Sequence, residues 1–412
     1  MFLALCYAPE DVSAAVLVRE LADDVARRGY HVTVVTPAPS YPRGRVLDGY
    51  RNRWFSVERI GEVRVVRTWS FISPSRSNVA RLLHQGTWSA TALLGALLAG
   101  RPDVLVCYSP PLPLGLSAWA LARAWGVPWV LQLEDLHPDA VIAAGLLRNR
   151  LAIAGLRGLE RFLYRGATHV SVIAETFRSA LLECGVPPEK LSVIPVWADP
   201  ERVPPLPREN AFREAHGLSG KFVVLYSGNL GHTSCLEQVL EAASLLRDEP
   251  RLRLVIVGEG VKRPALLAAA RARGLGGVLF LEYQPREAFA EMLAAADVGL
   301  VTLQPAAARS SLPSKTFNVM SSARPLLVVA PPDCELARLV ERVGCGVIAP
   351  PGPAPAIAEA LRRLLAMSEA EREAMGWRGR DELLARYSRE RCAAQHLALL
   401  DRVCGAAPEG AA

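Results

Sequence analysis

The chain has 412 residues, 51% hydrophobic and 21% charged, so it is globular, not disordered, and long enough that two domains of similar size are expected. Its formal net charge of +6 is modest for this length and comes with no nucleic-acid motif, which argues against nucleic acid as a partner. Eight scattered cysteines, with no C-x-x-C pair and no nearby His at zinc spacing, exclude a zinc module and read as reduced, mostly buried thiols.

The sequence opens on an apolar run, Phe2-Leu3-Ala4-Leu5-Cys6-Tyr7, which reads as a strand. No charged segment, apolar core and cleavage site stand ahead of it, so a cytoplasmic protein is expected. Further strands are expected over 31–36, 63–69, 104–108, 129–134, 169–174 and 191–196, with helical stretches such as 14–28 and 114–125 between them. The alternation stops in a Pro-rich segment, Pro200-Glu201-Arg202-Val203-Pro204-Pro205-Leu206-Pro207, which reads as a linker. It restarts with strands over 222–227, 252–258, 278–281, 298–303, 326–330 and 346–349. This pattern predicts an α/β fold of two doubly wound Rossmann-like domains, 1–198 and 199–387, facing across a cleft, with ligands outside the carboxyl ends of the strands. After Ser368, which has capping-box spacing to Glu371, the chain reads as helical to Cys404. With no strand following it, helix 388–404 is open to packing back onto the first domain, packing on the second being the plainer alternative. The tail 405–412 is small and polar enough to fray.

Two segments of the second half suit a phosphate. Ser311-Leu312-Pro313-Ser314-Lys315-Thr316-Phe317-Asn318 is a polar loop running into a helix. Arginine is the default cation here, the only lysines being Lys190, Lys221, Lys262 and Lys315, and Lys315 at a first helical turn adds a mobile ammonium to outward-pointing amides. A solvated lysine after a Pro-Ser helix start is an equally good reading of that loop alone. The second segment, Tyr226-Ser227-Gly228-Asn229-Leu230-Gly231-His232-Thr233-Ser234, follows a strand, and its glycines permit close backbone approach to a ligand. It has neither dinucleotide-fold nor P-loop spacing, and Gly258-Glu259-Gly260 has Arg263 where a third glycine would stand, so dehydrogenase and P-loop readings are poorly supported. Tight strand–helix geometry explains either turn singly. Together with Tyr283-Gln284-Pro285-Arg286 they are four turns at equivalent strand ends that could line one site, where Asn318, one turn beyond Ser314, can offer an amide to ribose hydroxyls.

In the first half the matching loop is Glu134-Asp135-Leu136-His137-Pro138-Asp139, a polar cluster able to accept a proton or hold sugar hydroxyls. Asp139 reads as a helix-start residue; Asp135, nearer the strand end, is the better catalytic candidate. Ala8-Pro9-Glu10-Asp11-Val12-Ser13 supplies another wall, with Ser13 a candidate helix cap. Arginines at 43, 45, 51, 53, 59, 64, 67, 76 and 81, interleaved with Trp54, Phe55, Trp69 and Phe71, suit anionic headgroups. The apolar stretch 86–100 is too short and too rich in Ala and Gly to span a bilayer, and a buried helix is its plainer reading.

These residues resemble a known family, the retaining glycosyltransferases of family 4, and within it the bacterial enzymes of colanic-acid and O-antigen assembly that include fucosamine transferases. The likeness runs through Tyr7-Ala8-Pro9-Glu10, Arg28-Gly29-Tyr30-His31-Val32, Tyr41-Pro42-Arg43-Gly44, Ser109-Pro110-Pro111-Leu112, the Glu134–Asp139 loop, Pro187-Pro188-Glu189-Lys190, Ser227-Gly228-Asn229-Leu230-Gly231, Ala295-Ala296-Asp297-Val298 and Pro313-Ser314-Lys315, specific in their order along the chain. The resemblance implies a GT-B fold, a nucleotide-sugar donor on the second domain, an acceptor on the first, and usually no metal. By position it implies that Gly228, Asn229 and Lys315 lie by the donor diphosphate, with Gly231, Gly258, Glu259, Ser311, Ser314 and Asn318 around it. Tyr283 and Gln284 would lie near the nucleobase, Asp135 by the transferred sugar and acceptor, and Glu10, Ser13 and His137 on the acceptor side. Ser310 and Asn318 stand where many members carry two glutamates, and Asn229 and Ser234 or Cys235 stand where an Arg and a Lys are frequent. Lys315 is then expected to carry more of the phosphate charge. Asp11-Val12-Ser13 stands for a frequent Gly-Gly.

The expected activity is transfer of a sugar from a nucleoside diphosphate to a lipid-linked or glycan acceptor, with no Asp-x-Asp pair for a divalent ion and no cofactor. An anionic membrane surface is a candidate partner, placing the protein peripherally on the inner face of the cell membrane. Two alternatives stay open: a nucleotide-sugar epimerase of the same architecture, and a non-catalytic nucleotide-sugar-binding subunit.

Overall fold

The computed structural model describes residues 1–405 apart from 76, 144, 146, 148 and 232, so Arg76, His232 and the tail from 406 on lie outside the described residues. The chain forms two compact units, Met1–Pro195 with the chain from Cys392 on, and Val196–Arg391.

The first unit is built on an eight-stranded sheet of β1 (Phe2–Leu3), β2 (Thr33–Pro37), β3 (Phe55–Ile60), β4 (Val63–Thr68), β5 (Leu105–Ser109), β6 (Trp129–Leu133), β7 (His169–Val172) and β8 (Leu191–Val193). Their spatial order is β3-β4-β2-β1-β5-β6-β7-β8, parallel throughout except for the β3–β4 hairpin. The helices are α1 (Ser13–Arg27), α2 (Asn78–Ala99), α3 (Leu114–Trp125), α4 (Asp139–Ala143), α5 (Arg150–Gly166) and α6 (Glu175–Glu183). β5 and β6 are buried along their whole length, as continuous apolar strands between two helical layers must be.

β3 is the strand missing from the sequence reading. Its residues alternate between exposed and half-buried, with Phe55, Val57 and Arg59 open and Ser56, Glu58 and Ile60 partly covered, so polar residues on the covered side hide the strand from period-2 reasoning. Gly61 at φ +61° closes the two-residue turn that pairs Ile60 with Val63. β1 is shorter than expected, two residues instead of six. The segment 86–100 lies inside the longer α2, which caps on Ser77.

The second unit holds a six-stranded parallel sheet of β9 (Phe222–Ser227), β10 (Leu252–Val257), β11 (Val278–Leu281), β12 (Val298–Thr302), β13 (Leu326–Val329) and β14 (Gly346–Ala349), in the order β11-β10-β9-β12-β13-β14. The order reverses between β9 and β12, the switch point where doubly wound sheets leave a crevice at the strand carboxyl ends. Around it run α7 (Ala211–Ala215), α8 (Leu236–Ser244), α9 (Arg263–Ala272), α10 (Phe289–Ala294), α11 (Lys315–Ser321), α12 (Glu335–Val343), α13 (Ala354–Ala366) and α14 (Glu369–Glu382). Ser368 and Glu371 form the expected capping box at the start of α14. Two buried clusters cover the sheet faces, one around Leu236, Leu240, Ile357 and Leu361, the other around Phe212, Leu225, Val255 and Met292.

The amino-terminal edge of this sheet is clamped by a buried ion network. The Arg213 guanidinium, fully buried, donates to Asp297 Oδ2 at 2.6 Å and to the Ala295 carbonyl at 2.8 Å, and Arg208 pairs with the other Asp297 oxygen. The Val223 amide donates to Asp297 Oδ2 at 2.7 Å, tying the start of β9 to the residue before β12. α15 (Arg389–Cys404) ends in the first unit, where Tyr30 donates to Asp401 and Arg402 to Ser192 Oγ at 3.1 Å.

Candidate active site

Four turns of the second unit leave the carboxyl ends of β9, β10, β11 and β12, and main-chain bonds fix how three of them meet. The Gly228 amide donates to the Val257 carbonyl at 2.9 Å, the Leu230 amide to the Glu259 carbonyl at 2.8 Å, and the Lys262 amide back to the Leu230 carbonyl at 3.0 Å. The turn after β12 joins through the Gln304 amide, which donates to the Thr233 carbonyl at 2.9 Å. Gly228 and Gly258 have φ of +139° and +144°, and a Cβ on Gly258 would stand 2.0 Å from the Gly228 carbonyl oxygen. Only glycine permits that approach.

Lys315 reaches into this turn from the first residue of α11. Its Nζ sits 3.5 Å from the centroid of the Tyr226 ring and only 2.8 Å from where a Gly228 Cβ would be. Any side chain at 228 would displace the ammonium. Among the described residues no carboxylate or carbonyl pairs with Lys315, and burial pushes its pKa down to about 7. The side chain as a whole is half-buried, so desolvation is concentrated at the ammonium end. A cation enclosed by glycines and an aromatic face, without an anionic partner, is a site for an external anion. The Tyr226 hydroxyl donates to the Asn229 carbonyl at 2.8 Å, which fixes the ring beneath the ammonium.

The other expected donor-side residues fall around these turns in unequal ways. Glu259 pairs with Arg263 at 3.3 Å, and the Gln284 amide donates to the Glu282 carbonyl at 3.0 Å. Tyr283 is 40% exposed just beyond β11. Gly231 lies against the Asn229 amide, and Ser314 precedes α11 without a side-chain capping bond. Ser311 and Asn318 are half-buried on either side of Lys315. Ser310, by contrast, is buried with a hydroxyl that has no hydrogen-bond partner, as is Thr316 on the first turn of α11. Sequence reasoning passed over Thr316, whose only signal is its place beside Lys315.

In the first unit the loop after β6 carries acid–base groups. Glu134 has its pKa pushed up to about 7, by burial first and by the neighbouring Asp135 charge, against a 3.1 Å hydrogen bond from the Gln132 amide. His137 is pushed down to about 4 by burial and by the Arg81 charge. Glu134 was grouped with this cluster in the sequence but not singled out; the apolar run 129–133 leading into it is the signal of its desolvation. Asp135 is half-buried beside it, and Asp139 opens α4 as expected, paired with Arg157 at 3.3 Å.

The loop after β1 is arranged otherwise than its sequence suggests. Both the Ser40 and Tyr41 amides donate to Glu10 Oε1 at 2.8 Å, so this buried carboxylate holds the loop after β2. Ser13 is not a cap: α1 caps on Val12, and Ser13 is its first helical residue. Arg67 leaves the basic surface patch altogether, buried and donating to Glu58, to the Pro37 carbonyl at 3.1 Å and to the Ala8 carbonyl at 2.5 Å. Arg64 donates to the Ala99 carbonyl at 3.0 Å, which also turns it inward. All eight thiols are free, with Cys184 and Cys404 exposed, and among the described residues no three His, Cys, Asp or Glu side chains group as metal ligands.

Two Rossmann-like units with parallel sheets and Gly-rich turns at the strand ends define the GT-B architecture. Residues 14–197 match the family described as "Glycosyl transferase 4-like domain", and residues 208–382 match "Glycosyl transferases group 1". The chain is 30% identical over 372 residues to the "Putative colanic acid biosynthesis glycosyl transferase WcaI" of Escherichia coli (strain K12), covering 87% of this chain and 90% of that one. It is 30% identical over 327 residues to the "Probable glycosyltransferase WbjE" of Pseudomonas aeruginosa, covering 76% and 79%. Among solved structures, Alr3699/HepE of Anabaena in complex with UDP and glucose superposes with a TM-score of 0.73 at 15% identity, over 97% of this chain and 98% of that one. The chain belongs to the glycosyltransferases that join a 4-like amino-terminal domain to a group 1 carboxyl-terminal domain, and it is an enzyme of that class.

Proposed function

We propose that the chain transfers a sugar, with retention of its anomeric configuration, from a nucleoside diphosphate to a lipid-linked or glycan acceptor in cell-surface polysaccharide synthesis. The observation that carries this reading is the Lys315 ammonium, enclosed between Gly228 and the Tyr226 ring without an anion of its own. A pyrophosphate supplies that anion. The colanic-acid name of the Escherichia coli relative and the UDP bound by the Anabaena protein support the donor class and the setting.

In this mechanism the bond from the anomeric carbon to the diphosphate oxygen breaks while the acceptor oxygen bonds to that carbon from the same face. The acceptor proton passes to the departing phosphate. Lys315 and the amides of the turns stabilise the charge that develops on the leaving group, so no resident metal is required. Asp135, with Glu134 beside it, is proposed to act on the acceptor side, with His137 a neutral hydrogen-bonding group there. Tyr283 and Gln284 are proposed to flank the base. The enzyme is proposed to work peripherally at the inner membrane face; among the described residues no helix is long and apolar enough to cross a membrane.

A panel of nucleotide-sugars in thermal shift, followed by turnover assays with and without EDTA, tests the reading. A donor that raises Tm in the wild type and not in Lys315→Ala, with turnover insensitive to EDTA, is expected. Stabilisation unchanged by Lys315→Ala would refute the site. An isomerised nucleotide-sugar released without acceptor would move the assignment to an epimerase.

A further inference from the structure

The outer helical layer of the first unit carries a surface for which sugar transfer has no use. α2, α3 and α5 lie side by side. The Ser117 hydroxyl on α3 donates to the Ser89 carbonyl on α2 at 2.6 Å, and Trp119 on α3 meets Phe162 on α5 edge-on at 5.0 Å between ring centroids. Gly115 lets α3 approach α5 closely, since a Cβ there would stand 2.6 Å from Leu163.

α2 buries one face, with Trp88, Ala92 and Ala96 fully covered. The opposite face is apolar and open: Val79, Leu82, Leu83, Leu94, Leu97 and Leu98 are 45% to 66% exposed. Steps of three and four residues through the exposed Gly86 and Ala90 keep this stripe on one side of the 22-residue helix, a length of about 33 Å. No charged residue lies between Arg81 and Arg101.

On these helices the charge is mostly positive, with Arg157 paired to the exposed Asp139 of α4. The three helices contain a single acid, Glu160, which accepts from the Tyr164 hydroxyl at 2.6 Å, against arginines at 81, 123, 150, 157, 161 and 165. All six arginines are exposed. An exposed leucine stripe on a helical layer whose exposed charges are mainly arginine fits headgroup phosphates above an acyl layer.

We propose that this layer docks on an anionic lipid bilayer, with α2 lying flat in the interface. Its leucines enter among the acyl chains and the arginines of α3, α5 and the ends of α2 meet the phosphates. The proposal deepens the membrane setting given above by naming the surface, and it does not depend on the donor assignment. The arginines expected from sequence at 43–81 are secondary to it.

Flotation of the full chain with vesicles tests the surface without any donor. Vesicles of phosphatidylcholine with about 30% phosphatidylglycerol are compared with pure phosphatidylcholine, at low and high salt. The wild type is expected to float with the anionic vesicles and to be released by salt. A Leu94→Glu, Leu98→Glu variant and an Arg157→Glu, Arg161→Glu variant are each expected to lose binding by tenfold or more. Circular dichroism and thermal unfolding, unchanged in both, show that they fold. Absence of flotation with either vesicle, or variants that float like the wild type, overturns the proposal. A dimer in sedimentation that the leucine variant alone disrupts, without flotation, would assign the face to a second copy instead. Failure here with intact sugar transfer leaves the enzymatic reading standing.

Discussion

The two units share a sheet type but put opposite chemistry at their strand ends. In the second unit the turns are tied to one another by main-chain bonds, and the group left over is a cation, Lys315, held down to about 7 by burial. In the first unit the strand-end groups include a carboxylate, Glu134, held up to about 7 by burial, near a His held near 4. Desolvation pushes each group toward its neutral form, so each gains most from a ligand that restores its charge. For Lys315 that ligand is an anion; for Glu134 it is a hydrogen-bond donor such as a hydroxyl. In the proposed reaction the second unit would handle the leaving group and the first the acceptor.

The sharpest way to break this comparison is to remove the buried arginine that each unit uses as a clamp. Arg213→Ala in the second unit leaves the buried Asp297 with less compensation and should cost about 3–5 kcal/mol in urea unfolding. Arg67→Ala in the first unit strands two carbonyls, while its partner Glu58 is a third exposed and can turn to water, so about 1–3 kcal/mol is expected. Equal losses would mean that Asp297 is as well solvated as Glu58.

Next in size are the site substitutions. Lys315→Ala should lower kcat by about 10²–10³-fold, the usual effect of deleting one preorganised donor to a developing charge, with Tm changed little. Glu134→Gln should cost less, about tenfold, and should remove an acid limb near pH 7 from the kcat/KM profile. The sign follows from the raised pKa: Glu134 ionises above about 7, so activity that needs the carboxylate falls as pH drops through that value. A limb that survives in Glu134→Gln would exclude Glu134 from that role.

Most of the strand positions were legible because the parallel strands are buried on both faces and read as continuous apolar runs, as in β9 and β12. β3 was not, because an edge strand is chosen by its partner β4 and not by its own pattern. The Gly-rich turns and Lys315 stood out in the sequence because glycines and a rare lysine mark them chemically. What no spacing could show is that Gly228 and Lys315, 87 residues apart in the chain, contend for the same space. Glu10 misled in the opposite direction, since a strand-end glutamate looks available until the Ser40 and Tyr41 amides are seen to occupy it. α2 read as buried from its composition, and the structure buries only half of it.

The smallest effect is also the most specific to the proposed site. With a pKa of about 7, Lys315 is about nine-tenths neutral at pH 8, and a pyrophosphate placed against it will raise that pKa toward the ordinary lysine value. Binding of the nucleoside diphosphate selected by the thermal-shift panel at pH 8 should then take up close to one proton, whereas at pH 6 the ammonium is already formed and Lys315 contributes little. Above pH 7.5 the terminal phosphate, with its second pKa near about 6, is fully ionised, so any remaining linkage belongs to the protein. Calorimetry in two buffers of different ionisation enthalpy measures the uptake directly, and the affinity should weaken about tenfold per pH unit between 8 and 9. Lys315→Ala should bind more weakly and lose that slope together with the uptake. A pH-independent affinity in the wild type would mean that Lys315 stays charged in the empty site, and that something other than a missing anion holds it over Tyr226.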